Sequence, residues 1–290
     1  MNTVLITGAN GLIGRSLASV CRDVGLRTVG IVFPYEHPPE FDAVYAGSLQ
    51  NPLENVFQRE TIGAMVHGAN HVGRDEFTVN TEGTKAWAIQ ASESGVSNQI
   101  LLSSISAQEN AVSPYGKAKY ALERWFDDQG YLSFRLGLVI GNGGLFGRLA
   151  GLVKRFPMLP LPDGGKTWVY PTGLDSLKSL LCLAVRGKIQ RPRGGLWRFY
   201  QPRPVHMRKV VKEIASCLDK RCRIINMPTG FLLFAARVME RIPLLKSGVS
   251  SNNILGMKQN NRNDFESDFQ RFSFPEEDLA ALVRKAIKGT

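Results

Sequence analysis

With 290 residues, 43% of them hydrophobic and 21% charged, the chain has ordinary globular composition and length for one large domain plus a smaller lobe. No apolar run reaches the 18 residues of a membrane span, and no cationic region precedes the apolar segment of MNTVLITGAN. Neither a span nor a signal peptide is expected, and the expected location is cytoplasmic. A formal charge of +11 favours anionic partners but does not choose among nucleic acid, an anionic membrane surface and a phosphorylated small molecule.

Cys21, Cys182, Cys217 and Cys222 show no CxxC spacing, which argues against a zinc site or a disulfide framework and reads as small core residues, with no metal expected. Cations cluster from Arg186 to Lys209, but Pro192, Pro202 and Pro204 interrupt any helix there. No groove-reading helix, helix-turn-helix or aromatic–basic module is visible, so nucleic acid is not an expected partner.

Short β-rich runs alternate with helical patterns over the first 140 residues, which predicts an α/β, Rossmann-type doubly wound parallel sheet. The expected strands are Thr3 to Thr7, Thr28 to Phe33, Asp42 to Gly47, Gly63 to His67, Gln99 to Ser104 and Leu132 to Ile140. Helices are expected from Leu12 to Val24, Leu53 to Arg59, Phe77 to Ser94 and Pro114 to Asp128. Beyond Gly141 the pattern weakens: GNGGLFG reads as a loop, Leu149 to Arg155 as a short helix, and PMLPLPDGGK as a proline and glycine-rich connection. Further helices fit Leu174 to Val185, Met207 to Leu218 and the amphipathic stretch from Thr229 to Ile242. The division expected is a dinucleotide-binding domain over 1–141 and mainly a substrate-binding lobe over 142–290, some of whose segments return to the first domain.

TGANGLIG follows the first strand and opens the first helix. Gly8 permits the tight turn, Gly11 lets backbone approach a pyrophosphate, and Gly14 allows close helix-to-strand packing. The helix amino terminus adds unpaired N–H donors and partial positive charge. Gly8, Asn10, Gly11, Leu12, Ile13 and Gly14 therefore form the candidate dinucleotide turn, joined by Ala69 and Ser103 at the ends of later strands. Near Phe33, at the end of the second strand, stands neither the acid of an NAD-selecting unit nor an arginine for the extra phosphate of NADP, so NAD or NADP stays open.

In SPYGKAKYALE, Tyr115 and Lys119 lie four residues apart on one helix face. A free tyrosine titrates near pH 10, so a phenolate at neutral pH needs roughly 4 kcal/mol of preference. A nearby ammonium together with an oxidised nicotinamide is a field of the right sign. Such a phenolate takes a proton from a substrate alcohol or returns it, and a serine hydroxyl at the strand end, Ser103 or Ser104, holds the substrate oxygen.

The order of glycine turn, serine pair and YxxxK resembles the extended short-chain dehydrogenase/reductases, and within them the nucleotide-sugar epimerases and dehydratases. The resemblance rests on TGANGLIG, MVHGANHVGRDEFTVNTEGTKAWAIQA, ILLSSIS, PYGKAK, FRLGLVIGNG and LPDGGKTWVYPTGLDSL, and so spans nearly the whole chain. It implies Ser104 as the catalytic serine, Tyr115 as general acid/base and Lys119 as ribose ligand and tuner of the tyrosine. It further implies Asn80 as a support for the active-site helix and cofactor region, Lys166 as a contact for the substrate pyrophosphate, and Asn142, Phe146 and Arg148 as sugar or phosphate contacts.

The sequence departs from the family pattern at Gly47, Ser48 and Leu49, where an aspartate usually follows the glycine, at Leu136 in place of proline after Arg135, and in the short linker of eleven positions from Ser104 to Tyr115. The implied reaction is NAD(P)-dependent oxidoreduction at carbon 4 of a UDP-linked or similar phosphorylated sugar. A 4-epimerase working through a 4-keto intermediate in polysaccharide or sugar metabolism is the first reading. A 4-keto-deoxysugar reductase and an epimerase of a polyprenyl-diphosphate sugar are alternatives. A dehydratase is disfavoured because Ile105 and Ser106 stand where an acidic pair would follow the catalytic hydroxyl. A non-catalytic cofactor sensor or assembly protein is the alternative of another class. Homodimer formation and peripheral membrane contact, the latter through Phe231, Phe234, Val238 and Ile242, complete the expectations.

Overall fold

The computed structural model describes residues 3–34, 36–51, 55–231 and 266–289. The chain divides into two units: Met1–Glu109, Pro114–Arg135 and Leu174–Arg198 form the first, and Asn110–Ser113, Leu136–Gly173 and Phe199–Thr290 the second.

The first unit is built on β1 (Thr3–Thr7), β2 (Arg27–Val32), β3 (Ala43–Ala46), β4 (Ala64–His67), β5 (Asn98–Ser104) and β6 (Leu132–Leu136). A later strand, Leu196–Phe199, completes a seven-stranded sheet in which β6, β5, β4, β1, β2 and β3 follow one another from that strand inward. The β1–β2, β1–β4, β2–β3 and β4–β5 pairs are parallel. This is the doubly wound order, with its switch point at β1 and β4, where such sheets bind ligands. β1, β4 and β5 are buried along nearly their whole length, as strands covered by helices on both faces are.

The crossovers are α1 (Leu12–Asp23), α2 (Val56–Arg59), α3 (Glu76–Glu93) and α4 (Pro114–Asp128). α1 buries Leu17, Ala18 and Cys21 and closes on Gly25 at φ +77, a left-handed position that a side chain would strain. The expected start of α2 at Leu53 lies outside the described residues. One core joins Leu5, Ile31, Met65 and Trp87; another joins Ala88, Leu101, Leu122 and Phe126.

In the second unit the expected long strand from Leu132 ends early. A separate β7 (Leu138–Ile140) follows, because Gly137 passes so near Tyr170 that an added Cβ would lie 1.9 Å from its carbonyl oxygen. β7 pairs instead with β10 (Pro171–Gly173), after β8 (Met158–Pro162) and β9 (Trp168–Val169). GNGGLFG is not all loop: α5 spans Gly144–Arg155, held by Phe146, Leu149 and Val153 in the core despite its glycines. PMLPLPDGGK is likewise not all connection, since β8 pairs in parallel with a later strand, Arg223–Met227. Pro160 and Pro162 are tolerated on such a short ladder.

α6 (Leu174–Val185) belongs to the first unit, followed by β11 (Leu196–Phe199), β12 (Val205–His206), α7 (Met207–Cys217), β13 (Arg223–Met227) and α8 (Leu279–Lys288). The sequence reading did not include α8, although Asp278 caps it by accepting from the Ala280 amide at 3.3 Å and Leu279, Leu282, Val283 and Ala286 have helical spacing. Of the expected helix from Thr229 to Ile242, residues beyond 231 lie outside the described residues. Cys21 and Cys182 are buried, whereas Cys217 and Cys222 are half-buried against the core of the second unit. No described helix is long and apolar enough to cross a membrane.

Candidate active site

The glycine turn leaves β1 at Gly8, whose φ is +72 and whose added Cβ would lie 2.7 Å from the Gly68 carbonyl. A Cβ on Gly14 would meet the Gly8 oxygen at the same distance. Only glycine fits either place. Gly11 caps α1 without a side-chain hydrogen bond, so the first helical amides, from Leu12 and Ile13 onward, have no capping side chain and stay available to an anion. Thr7 Oγ1 accepts from the Gly68 and Ala69 amides at 3.2 and 3.3 Å, tying the loop after β4 to the end of β1.

Beside this turn lies a cavity of about 160 Å³ lined by Gly8, Asn10, Ile31 to Phe33, Gly47 to Gln50, Ala69 to His71 and Trp87. No lining side chain is a carboxylate, lysine or arginine. Trp87 Nε1 donates to the Ser48 oxygen at 3.1 Å and braces one wall. Asn10 Nδ2 donates to the Pro34 oxygen at 3.2 Å, while its Oδ1 is buried without a partner, as is the hydroxyl of Ser103. Unpaired buried polar atoms are costly and mark places where a ligand completes the bonding. The glycine cradle and these two orphaned atoms fit a dinucleotide.

Asn80 is buried in α3 and clamps the loop before it. Its Oδ1 accepts from the His71 amide at 2.8 Å, and its Nδ2 donates to the carbonyls of His71 at 2.8 Å and Glu76 at 2.7 Å. The sequence singles out Asn80 but not Thr7, His71 or Trp87; these lie inside the quoted motifs, but their roles depend on partners elsewhere in the fold.

At the end of β5 the Ser104 hydroxyl accepts from the Ser106 amide at 3.2 Å and is near enough to the Tyr115 phenol to favour its ionised form. Lys119 is 5% exposed; its Nζ donates to the Leu102 oxygen at 2.8 Å and lies 5.9 Å from the centre of the Tyr115 ring. Ser104, Tyr115 and Lys119 thus come together. Glu123, one turn further along α4, is buried and paired with Arg135 of β6.

In the protein alone the electrostatics favour the neutral phenol, without the nicotinamide charge that the expected activation includes. Burial holds the Tyr115 phenol above its ordinary pKa, and the Glu76 and Glu123 carboxylates add to this, while the nearby Ser104 hydroxyl works the other way. Burial also lowers Lys119 to about 8, with Glu123 opposing it. The phenol is therefore protonated until further positive charge arrives.

The candidate substrate residues belong to the second unit. Phe146 is 1% exposed within its core, so its role in the fold is packing rather than the expected sugar contact. Asn142 and Arg148 are exposed on and before α5, and Lys166 is exposed before β9. The Lys166 carbonyl accepts from His206 Nδ1 at 2.6 Å, and the His206 ring stacks on Trp168 at 3.8 Å. Among the described residues no group of three or more His, Cys, Asp or Glu side chains is placed to hold a metal ion.

No protein-family model and no curated protein matches the chain. Solved structures do share its fold. A UDP-glucose 4-epimerase with UDP-glucose from the hyperthermophilic eubacterium Thermotoga maritima superposes with a TM-score of 0.68 at 16% identity over 78% of this chain and 85% of its own. An NAD-dependent NDP-hexosamine 5,6-dehydratase involved in tunicamycin biosynthesis gives 0.70 at 15% identity, over 99% and 97%. MoeE5 in complex with UDP-glucuronic acid and NAD gives 0.67 at 21% identity, over 78% and 86%.

Proposed function

We propose that the chain is a member of the extended short-chain dehydrogenase/reductases and catalyses NAD(P)-dependent oxidoreduction at carbon 4 of a UDP-linked sugar, most simply as a 4-epimerase. The observation that carries this reading is the buried Lys119 Nζ 5.9 Å from the centre of the Tyr115 ring on the same helix face, with the Ser104 hydroxyl acting on the same phenol. Neighbours of the same fold are described as a sugar-nucleotide epimerase and a dehydratase, and one is described with NAD and a UDP-sugar, which supports both the cofactor and the substrate class.

Gly8, Gly11 and the first amides of α1 would hold the pyrophosphate of the dinucleotide, with Asn10, Ala69 and Ser103 beside it and Lys119 on its ribose. When bound, the nicotinamide supplies hydride acceptance and return, and its positive charge in the oxidised form. Tyr115 then takes the proton of the sugar 4-hydroxyl and later gives it back, while Ser104 holds the sugar oxygen through a hydrogen bond. Lys119 keeps positive charge beneath the phenol throughout.

An epimerase returns hydride to the other face of the 4-keto sugar; a reductase delivers it once to a 4-keto deoxysugar from NADPH. Lys166 is proposed as a diphosphate contact, and Asn142 and Arg148 as polar contacts to the sugar or its phosphates. The test is incubation with a panel of UDP-sugars and their 4-keto derivatives, with and without added cofactor, and identification of products by NMR. Interconversion without added cofactor fits the epimerase, and NADPH consumption the reductase. Tyr115→Phe should lower turnover by roughly 100- to 10,000-fold while cofactor is retained; full activity in that variant refutes the mechanism and leaves the cofactor-sensing alternative. Homodimer formation is part of the same proposal, and sedimentation analysis tests it.

A further inference from the structure

The sequence directs membrane contact to the stretch from Thr229 to Ile242, yet a different surface of the second unit combines exposed apolar side chains with cations. β8 and β13 pair in parallel with Arg223 opposite Met158 and Ile225 opposite Pro160. Leu159 and Leu161 of β8 are 6% exposed and belong with Ile224 to the core of that unit. Strand alternation therefore places Met158, Pro160, Arg223 and Ile225 together on the opposite face. Met158 is 52% and Ile225 37% exposed, and among the described residues this ladder has only two strands.

The chain enters β8 through Phe156, 44% exposed, with the Arg155 guanidinium over its ring at 5.5 Å. Lys154 and Arg155 end α5, and Lys220, Arg221 and Arg223 lead into β13, all of them exposed. The acids of these two stretches, 154–163 and 219–225, are Asp163 and Asp219, so positive charge prevails around the apolar patch.

We propose that this face, with Phe156, Met158, Pro160 and Ile225 ringed by Lys154, Arg155, Arg221 and Arg223, docks the protein on an anionic lipid surface. Apolar side chains that water leaves unpaired enter the headgroup boundary, while flexible cations reach anionic phosphates at its edge. A second copy would set the same cations against one another. A nucleic acid strand needs rings for its bases to stack on, and Met158, Pro160 and Ile225 offer none, while the Phe156 ring is covered by Arg155. The proposal is independent of the catalytic reading.

Flotation of the full chain with vesicles of equimolar phosphatidylglycerol and phosphatidylcholine tests it, against vesicles of phosphatidylcholine alone. Binding is expected only to the anionic vesicles and should fall as salt rises. Arg155→Gln with Arg223→Gln should weaken the partition roughly 25-fold, about fivefold per charge. Met158→Ser with Ile225→Ser should abolish it while far-UV circular dichroism and turnover of soluble substrate are unchanged, which keeps this test separate from that of the reaction. No flotation of the parent protein at low salt overturns the proposal, as does flotation undiminished in both double variants. So does a loss of self-association or of single-stranded nucleic-acid binding, rather than of vesicle binding, in the serine variant.

Discussion

His67, at the end of β4, is 2% exposed, and its Nε2 lies 2.9 Å from Gln99 Oε1. The Gln99 amide nitrogen already donates to the Ala88 and Val96 carbonyls at 2.9 and 3.1 Å. Its oxygen must therefore accept, and His67 carries its proton on Nε2. Nδ1 is buried with no partner. A second proton there would put charge where no acceptor meets it, and burial, with the Lys119 ammonium adding to it, lowers the imidazole pKa to about 4. In the unfolded chain the same group titrates near 6.5. As pH falls from 6.5 the unfolded state takes up a proton that the folded state refuses, so stability is lost on acidification: about 2 kcal/mol by pH 5 and about 3 kcal/mol by pH 4.

Urea unfolding at pH 7 and pH 5 measures this. His67→Leu should be less stable at pH 7 by about 1–3 kcal/mol, because Gln99 Oε1 is left unpaired. Its further loss between pH 7 and pH 5 should nevertheless be smaller than that of the parent by about 2 kcal/mol. Equal losses in the two proteins would refute the reasoning.

Asn80→Ala removes three hydrogen bonds around His71 and Glu76 and should cost about 2–3 kcal/mol. Hydrogen exchange should quicken first at the His71 amide; unchanged exchange there would show that the clamp is not Asn80. Gly83→Ala would place a Cβ 2.1 Å from the Leu49 oxygen, forcing α3 away from the 47–50 wall of the cavity, and should lower stability by about 1–3 kcal/mol together with dinucleotide affinity in a fluorescence titration. Lys119, lowered to about 8, should lose its proton well before an exposed lysine, as followed by its ¹³Cε resonance. Because its folded pKa lies below the unfolded one, stability should rise as pH increases from about 8 toward 10.5, the reverse of a surface ion pair. A resonance titrating above pH 10 contradicts the burial argument.

Much of the first unit was legible because its signals are local. β1 runs from Thr3 to Thr7 and α4 from Pro114 to Asp128, as their patterns indicate, since a buried parallel strand is a continuous apolar run and an amphipathic helix repeats its own face. The failures have distant causes. The break at Gly137 depends on Tyr170, far along the chain, and nothing near Gly137 announces it. β8 carries two prolines that argue against a strand until its partner β13 is in place. α5 contains three glycines, and packing of Phe146, Leu149 and Val153 outweighs their poor propensity. The same packing takes Phe146 out of the set of expected substrate contacts.

Helical spacing puts Tyr115 and Lys119 on one face, but it does not determine the tyrosine's acidity in the protein alone. A YxxxK pattern shows one cation; it does not show that Glu76 from α3 and Glu123 from the next turn of α4 face the same phenol. Glu123 is held against Arg135, so its charge cannot move away, and Lys119 spends a donor on the Leu102 carbonyl. The fixed charges thus favour the neutral phenol. A ligand bringing positive charge to Ser104 and Tyr115 would shift that balance toward the phenolate, because in a buried site an added charge is poorly screened. On the proposed mechanism an oxidised nicotinamide would do this, and the phenolate would then be populated only when hydride has somewhere to go. Glu123, one of the two carboxylates that oppose the phenolate, also favours the protonated form of Lys119, so the same acid acts on both the resting state of the tyrosine and the cation that steadies it.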